Sequence, residues 1–153
     1  MDDILLLLDV DAIPLYTWPL HWAVENAREG NLVGIAQSPN HIDKRQVYVG
    51  PAFCCFSKKV WLAAGSPSFA HVRGQYDVGG LFSERHGRRL YVYPLSCREV
   101  RWCVEFESGK YSFGLGTTYG SADLGPMVYH QFHIRDRDDA RTQFLEKCDE
   151  VLS

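Results

Sequence analysis

Two aspartates two residues apart, Asp9 and Asp11, follow the unbroken apolar run Ile4 to Leu8, and Pro14 comes shortly after them. Carboxylates at that spacing, leaving the end of an apolar strand, can turn toward a single cation, and hard oxygen donors suit magnesium or manganese. Spacing alone is a weak sign, because Asp136 and Asp138 repeat it in a charged segment near the other end of the chain. Placement separates the two pairs. An apolar strand buries at no polar cost, whereas two like charges at its end call for a cation or for hydrogen-bond donors. The competing reading is a pair that begins a loop and accepts hydrogen bonds from backbone amides. An imidazole from late in the chain can complete a metal site, with His130 the first choice and His133 its competitor. Alternation through an extended segment from Met127 to Phe132 sets His130 and Phe132 on one face and His133 on the other, so the two histidines are not expected to act together.

The elements that must position these groups are short. Ile4 to Leu8, with no polar alternation, reads as a strand buried on both faces. Thr17 as cap, Pro19 in the first turn, Leu20, Ala23, Val24 and Ala27 along one face, and Gly30 as stop predict a helix. Val33 to Ala36 reads as a short strand, and the polar segment Ser38 to Gln46 as a surface loop. In "VYVGPAFCCFSKKVWLAAG" an extended stretch ends near Phe56, Ser57 caps a short helix to Ala64, and Gly65 stops it. "YDVGGLFSERHG" predicts a second short helix closed by Gly87, and "RRLYVYPL" a strand limited by Pro94. Residues 98 to 128 mix strand-like pieces such as "VRWCVEF" with turns, and the tail from Arg137 is an amphipathic helix. Strands alternating with short helices predict an α/β fold: a mixed, mainly parallel sheet with flanking short helices, and ligands beyond the carboxyl ends of its strands.

A chain of 153 residues, 46% hydrophobic and 23% charged, is expected to form one domain over residues 1–153. Its net charge of -3, with no long like-charge run, gives no footprint for nucleic acid. The apolar run at the start is far too short to span a bilayer. The 5 cysteines, odd in number and including the neighbours Cys54 and Cys55, form no CxxC pair. They predict reduced thiols in the cytoplasm, not a secreted disulfide framework.

Two enzyme families use an apolar strand followed by Asp-x-Asp. "LLLLDVDAIPL" resembles the first motif of the haloacid-dehalogenase-like phosphatases, which implies Asp9 as nucleophile and Asp11 as acid and base; Ala12 and Ile13 stand where that family has Gly and then Thr or Val. More of the chain, most of residues 4 to 135, resembles the nucleotide-sugar glycosyltransferases of the GT-A fold. "LLLLDVDAIPL" is similar to their DxD strand, "VYVGPAFCCFSKKVWLAAG" to the segment after it, "YDVGGLFSERHG" to the acceptor-side helix start, and "MVYHQFHIRDR" to the late histidine-bearing segment. This resemblance implies Mn2+ or Mg2+ held by Asp9, Asp11 and His130 on a nucleoside-diphosphate sugar, with Arg135 on the donor phosphates. It further implies Asp77 as the base that deprotonates a hydroxyl acceptor, Glu84 being the second choice. Gly79 and Gly80 would admit the substrate, and Tyr48, Phe53 and Trp61 would stack on a sugar ring. GT-A enzymes place a nucleotide-binding half before the DxD strand, and only Met1 to Asp3 precede Ile4. The expectation is therefore a partial, GT-A-like fold corresponding to the C-terminal half, acting as a homo-oligomer or with a partner that supplies the other half. A non-catalytic sugar-binding or interaction module is the third reading.

Overall fold

In the computed structural model, which describes residues 3–39, 46–106 and 108–153, strands outnumber helices. The order is β1 (Ile4–Leu8), β2 (Ala12–Pro14), α1 (Trp18–Arg28), β3 (Leu32–Gln37), β4 (Tyr48–Ser57), α2 (Lys58–Ala63), α3 (Gly80–Arg85), β5 (Arg89–Phe106), β6 (Gly109–Ser121), β7 (Gly125–His130) and α4 (Asp138–Leu152). The expected surface loop falls mostly on residues 40–45, outside the described residues. No described helix is long and apolar enough to cross a membrane.

The strands form one 7-stranded sheet in the order β1-β4-β3-β5-β6-β7-β2. Only β3 and β5 run parallel; every other neighbouring pair is antiparallel. The mainly parallel α/β sheet of the GT-A kind is thereby corrected. Parallel neighbours need a long crossover between them, whereas β6 reaches β7 through a tight turn and β3 pairs directly with the next strand in the chain. The sheet curls until it is nearly closed and barrel-like. Its longest strand, β5, makes this possible by pairing with β3 through Arg89 to Val92 and with β6 from Tyr93 onward. Register shifts between Pro94 and Ser96 and between Val100 and Trp102 mark bulges along that strand. Pro94, read as a stop, is therefore a residue within β5 beside a bulge, where a missing N–H is tolerated.

Helices cover both faces of the β1, β4, β3 end of the sheet. On one face Ala23 and Ala27 of α1 pack with Val33, Ile35, Phe53 and Cys55. On the other, Val60 of α2 and Phe82 of α3 pack with Leu32, Cys54 and Phe56. Phe82 meets Phe56 edge-on at 5.0 Å between ring centroids and Phe69 at 5.6 Å. The strand buried on both faces is β4, whose successive side chains Phe53, Cys54, Cys55 and Phe56 alternate between the two cores. β1 is a strand, as its apolar run implies, but it lies at the sheet edge with Leu5, Leu6 and Leu8 39%, 38% and 43% exposed. The predicted starts of the first two helices hold in position: Thr17 stands at the N-cap position of α1, although its hydroxyl makes no cap bond, and the Ser57 hydroxyl accepts from the Val60 N–H at the start of α2.

The pairing of β4 with β3 is irregular. It jumps from Gly34↔Cys54 to Ile35↔Gly50, so Pro51, Ala52 and Phe53 bulge out of the ladder. The Phe53 carbonyl folds over Gly34, where a Cβ would lie 2.1 Å from that oxygen and 2.6 Å from Val49 Cγ1. Gly34→Ala is therefore expected to destabilise the fold by about 1–3 kcal/mol, the usual range for forcing atoms into a packed core. Urea unfolding midpoints measure this, and an unchanged midpoint would refute the packing.

The buried thiols and phenols set the alkaline limit. Burial pushes the Cys55 thiol up to about 11 and raises Cys54 further, and it likewise raises Tyr48 and Tyr119. An unfolded chain releases thiol protons from about pH 8.5 that the folded chain retains, so stability is full below that pH and falls as pH rises toward 11. Urea midpoints are expected to hold steady from pH 7 to 8 and to fall above about pH 9.

Candidate metal centre

The bulge in β4 fixes the first carboxylate. Asp9 donates its backbone N–H to the Ala52 carbonyl at 3.1 Å, and its own carbonyl accepts from the Ala12 N–H at 3.1 Å, which turns the chain between β1 and β2. The second carboxylate is fixed from the opposite end of the sheet. Asp11 accepts from the Gln131 N–H at 2.9 Å through its carbonyl, and Ala12 faces His130 in the β2–β7 ladder. The sheet closure thus brings an imidazole from the end of β7 against two carboxylates from the start of the chain.

His130 is 5% exposed. Its Nε2 lies 3.4 Å from Asp11 Oδ1, and its buried Nδ1 has no hydrogen-bond partner. One ligand atom from each of Asp9, Asp11 and His130 falls within 4.8 Å of the others, the only such cluster among the described residues. Opposite ligands of an octahedral magnesium or manganese ion stand about 4 Å apart, so this donor set fits a divalent cation with little side-chain movement. Two oxygens and one imidazole nitrogen also suit manganese chemically.

Asp9 stands where two cavities meet. The larger, of about 380 Å³, opens between the two halves of the curled sheet. Its polar side carries Gln37 and Ser38 from the end of β3, Tyr48 from β4 and Asp77; its aromatic side carries Trp102, Phe113 and Phe132. The smaller, of about 280 Å³, is lined by Asp9, Asp11, His133, Ile134, Arg135 and Asp136. Arg135 is exposed there and makes no ion pair with a described residue.

Asp77 is held on the wall of the larger cavity. The Tyr48 hydroxyl donates to its Oδ2 at 2.7 Å and the Val78 N–H to its Oδ1 at 2.8 Å, while His71 Nδ1 lies 3.8 Å away. Burial first, and the Asp77 carboxylate second, push the Tyr48 phenol up, so it donates as a neutral hydroxyl. Asp77 is not the cap of the following helix: α3 begins at Gly80, with Gly79 as N-cap and no side-chain cap bond.

Several expected substrate contacts lie elsewhere. Phe53 is fully buried in the core shared with α1. Trp61 packs on the opposite core and donates its indole N–H to the Pro67 carbonyl at 3.1 Å. Neither lines a cavity beside Asp9. Gly79, at φ +83, is demanded by the fold, since a Cβ there would lie 3.0 Å from the Val49 carbonyl, and Gly80 is buried against Tyr76. Glu84 is exposed on α3, away from both cavities.

His133 departs from its expected place. β7 ends at His130 and the chain turns, with the Asp136 and Arg137 N–H groups both donating to the His133 carbonyl at 3.1 Å, so strand alternation no longer applies. His133 therefore lines both cavities beside Asp9, sharing the larger one with His130. The aromatic wall of Trp102, Phe113 and Phe132 escaped sequence reasoning, because a bulge at Arg101 places Trp102 opposite Phe113 and nothing local announces it.

No protein family, curated protein or solved structure matches the chain. What the centre does must be read from its own geometry. One consequence is direct: Tyr48→Phe removes a donor to Asp77 and is expected to cost about 1–2 kcal/mol of stability. Urea denaturation of the two proteins checks it, and equal stability would show that the bond contributes nothing.

Proposed function

We propose that the chain is a divalent-cation-dependent glycosyltransferase, which moves a sugar from a nucleoside-diphosphate sugar to a hydroxyl acceptor. The observation that carries this reading is the convergence of Asp9, Asp11 and His130 at the junction of two cavities, one holding Arg135 and the other Asp77. Asp9, Asp11 and His130 hold Mn2+ or Mg2+, and the bound ion supplies neutralisation of charge on the departing diphosphate. Arg135 directs its planar fork at phosphate oxygens in the smaller cavity. Asp77, aligned by the Tyr48 hydroxyl and the Val78 N–H, accepts the proton of the acceptor hydroxyl in the larger one.

Two further observations bear on the setting. All 5 cysteines are unpaired, which supports a reducing compartment such as the cytoplasm. The half-exposed leucines of the β1 edge support work as a homo-oligomer or against a partner strand. Phosphoryl transfer with Asp9 as nucleophile is the rival reading, favoured by the exposure of Asp9 in the same cavity as Arg135. A non-catalytic sugar-binding module is the third.

Calorimetric titration of uridine and guanosine diphosphates, with and without manganese, separates these. Transfer predicts that manganese tightens at least one by about tenfold or more, roughly 1.4 kcal/mol, and that Asp11→Ala abolishes the gain. Binding that ignores both the ion and the substitution sinks the metal-centre reading. Hydrolysis of p-nitrophenyl phosphate that vanishes in Asp9→Asn would install the phosphatase in its place.

A further inference from the structure

Trp102 separates two cavities. It lines the larger one beside Asp9 and also a second of about 370 Å³ with Arg101, His133 and Arg137. Both are in the range of small-ligand pockets, roughly 300–1,000 Å³. Three rings hold the indole: Phe113 at 5.4 Å, Phe132 edge-on at 5.2 Å, and His133 nearly parallel at 6.0 Å and 23°. His133 sits at φ 63, in the left-handed region, where a non-glycine residue stays only when its surroundings fix it. The indole is therefore oriented before any ligand arrives.

The two walls of the larger cavity differ in kind. Trp102, Phe113 and Phe132 share the lining with the acidic Asp9 and Asp77, the polar Gln37, Ser38 and Tyr48, and the imidazoles of His130 and His133. A pyranose ring has the complementary division, with a face of C–H groups that stacks on an aromatic ring and a rim of hydroxyls that donate to carboxylates. The two cations that line the second cavity, Arg101 and Arg137, have acidic partners outside its lining. Arg101 is paired with Glu99 at 2.5 Å, and Arg137 with Asp139 and with Glu99 at 3.6 Å, so each guanidinium already has a carboxylate partner.

We infer that Trp102 is the platform of an acceptor subsite, and that the acceptor is a neutral carbohydrate of at least two rings, one in each cavity beside the indole. The word acceptor rests on the transfer reading; the carbohydrate chemistry rests on the two walls alone.

The test tracks the indole N–H resonance of Trp102 in nitrogen-15-labelled, metal-free protein, assigned by its disappearance in Trp102→Phe. Cellobiose, lactose, maltose and chitobiose are titrated in turn, then glucose, then uridine and guanosine. The expected result is movement of the Trp102 signal with at least one disaccharide, at lower concentration than with glucose, and none with the nucleosides. Silence toward all four disaccharides overturns the subsite, as does a larger response to either nucleoside. Because nucleoside-diphosphate binding with manganese is measured separately, the two readings fail separately. Disaccharide binding without a manganese effect leaves the subsite and removes the transferase, and the reverse leaves the transferase and removes the subsite.

Discussion

Residues 9–11 join β1 to β2, and these are the two end strands of the 7-stranded sheet. From Leu8 to Ala12 the chain reaches no more than about 14 Å even when fully extended. An open twisted sheet of that many strands holds its ends much farther apart, at close to 5 Å per strand. The short tether is therefore compatible only with a sheet that curls until its ends lie close together. Bulges in β4 and β5 supply the bending, and each also serves the cleft: the first presents the Ala52 carbonyl to the Asp9 backbone N–H, and the second sets Trp102 against Phe113.

Closure explains why chemistry gathers where it does. The end strands bring polar loop residues from both edges to one seam, while the concave space between the sheet halves stays lined by strand side chains. The result is a cleft with carboxylates at the seam, aromatics on the β5 to β7 side and hydrogen-bonding groups on the β3 and β4 side. No single strand contributes more than a few of these groups. Their arrangement depends on sheet register, and register is set by bulges that a local pattern does not reveal.

The parts legible in the sequence are those governed by local physics. Pro19 in the first turn and Gly30 at φ 90 delimit α1, and the Ser57 cap starts α2, because such signals act within a turn of the residue that carries them. Asp9, Asp11 and His130 are legible as a donor set by residue type, and the fold brings their ligand atoms together. Strand partners are not legible. An apolar run such as Ile4 to Leu8 reports that its residues can be buried, not that the sheet has a neighbour on each side, and here it is the edge. Strands alternating with helices suggest a mainly parallel sheet, yet α2 and α3 return the chain across one face without making a run of parallel pairs. His133 escapes because strand alternation does not extend beyond the last strand residue into a turn.

Charges near an edge strand have a second physical use, which competes with metal binding as the reason for Asp9 and Asp11. Edge strands invite pairing with other chains, and acidic residues at their ends discourage it. That role would be served by carboxylates pointing into solvent, with no demand on β7. The arrangement around Asp11 is different: its side chain is only 18% exposed, and the imidazole 3.4 Å from it is 6% exposed. Burying an imidazole costs its hydration, and His130 Nδ1 gains no hydrogen bond in return. A solubility device has no use for that expense. A cation held by the two carboxylates and His130 Nε2 would give the buried ring a partner on its Nε2 side and would remove the repulsion between the carboxylates where the sheet closes. On the metal-centre reading, the residues that would hold the ion, Asp9 and Asp11 on the β1–β2 tether and His130 at the end of β7, are the residues that meet where the sheet closes.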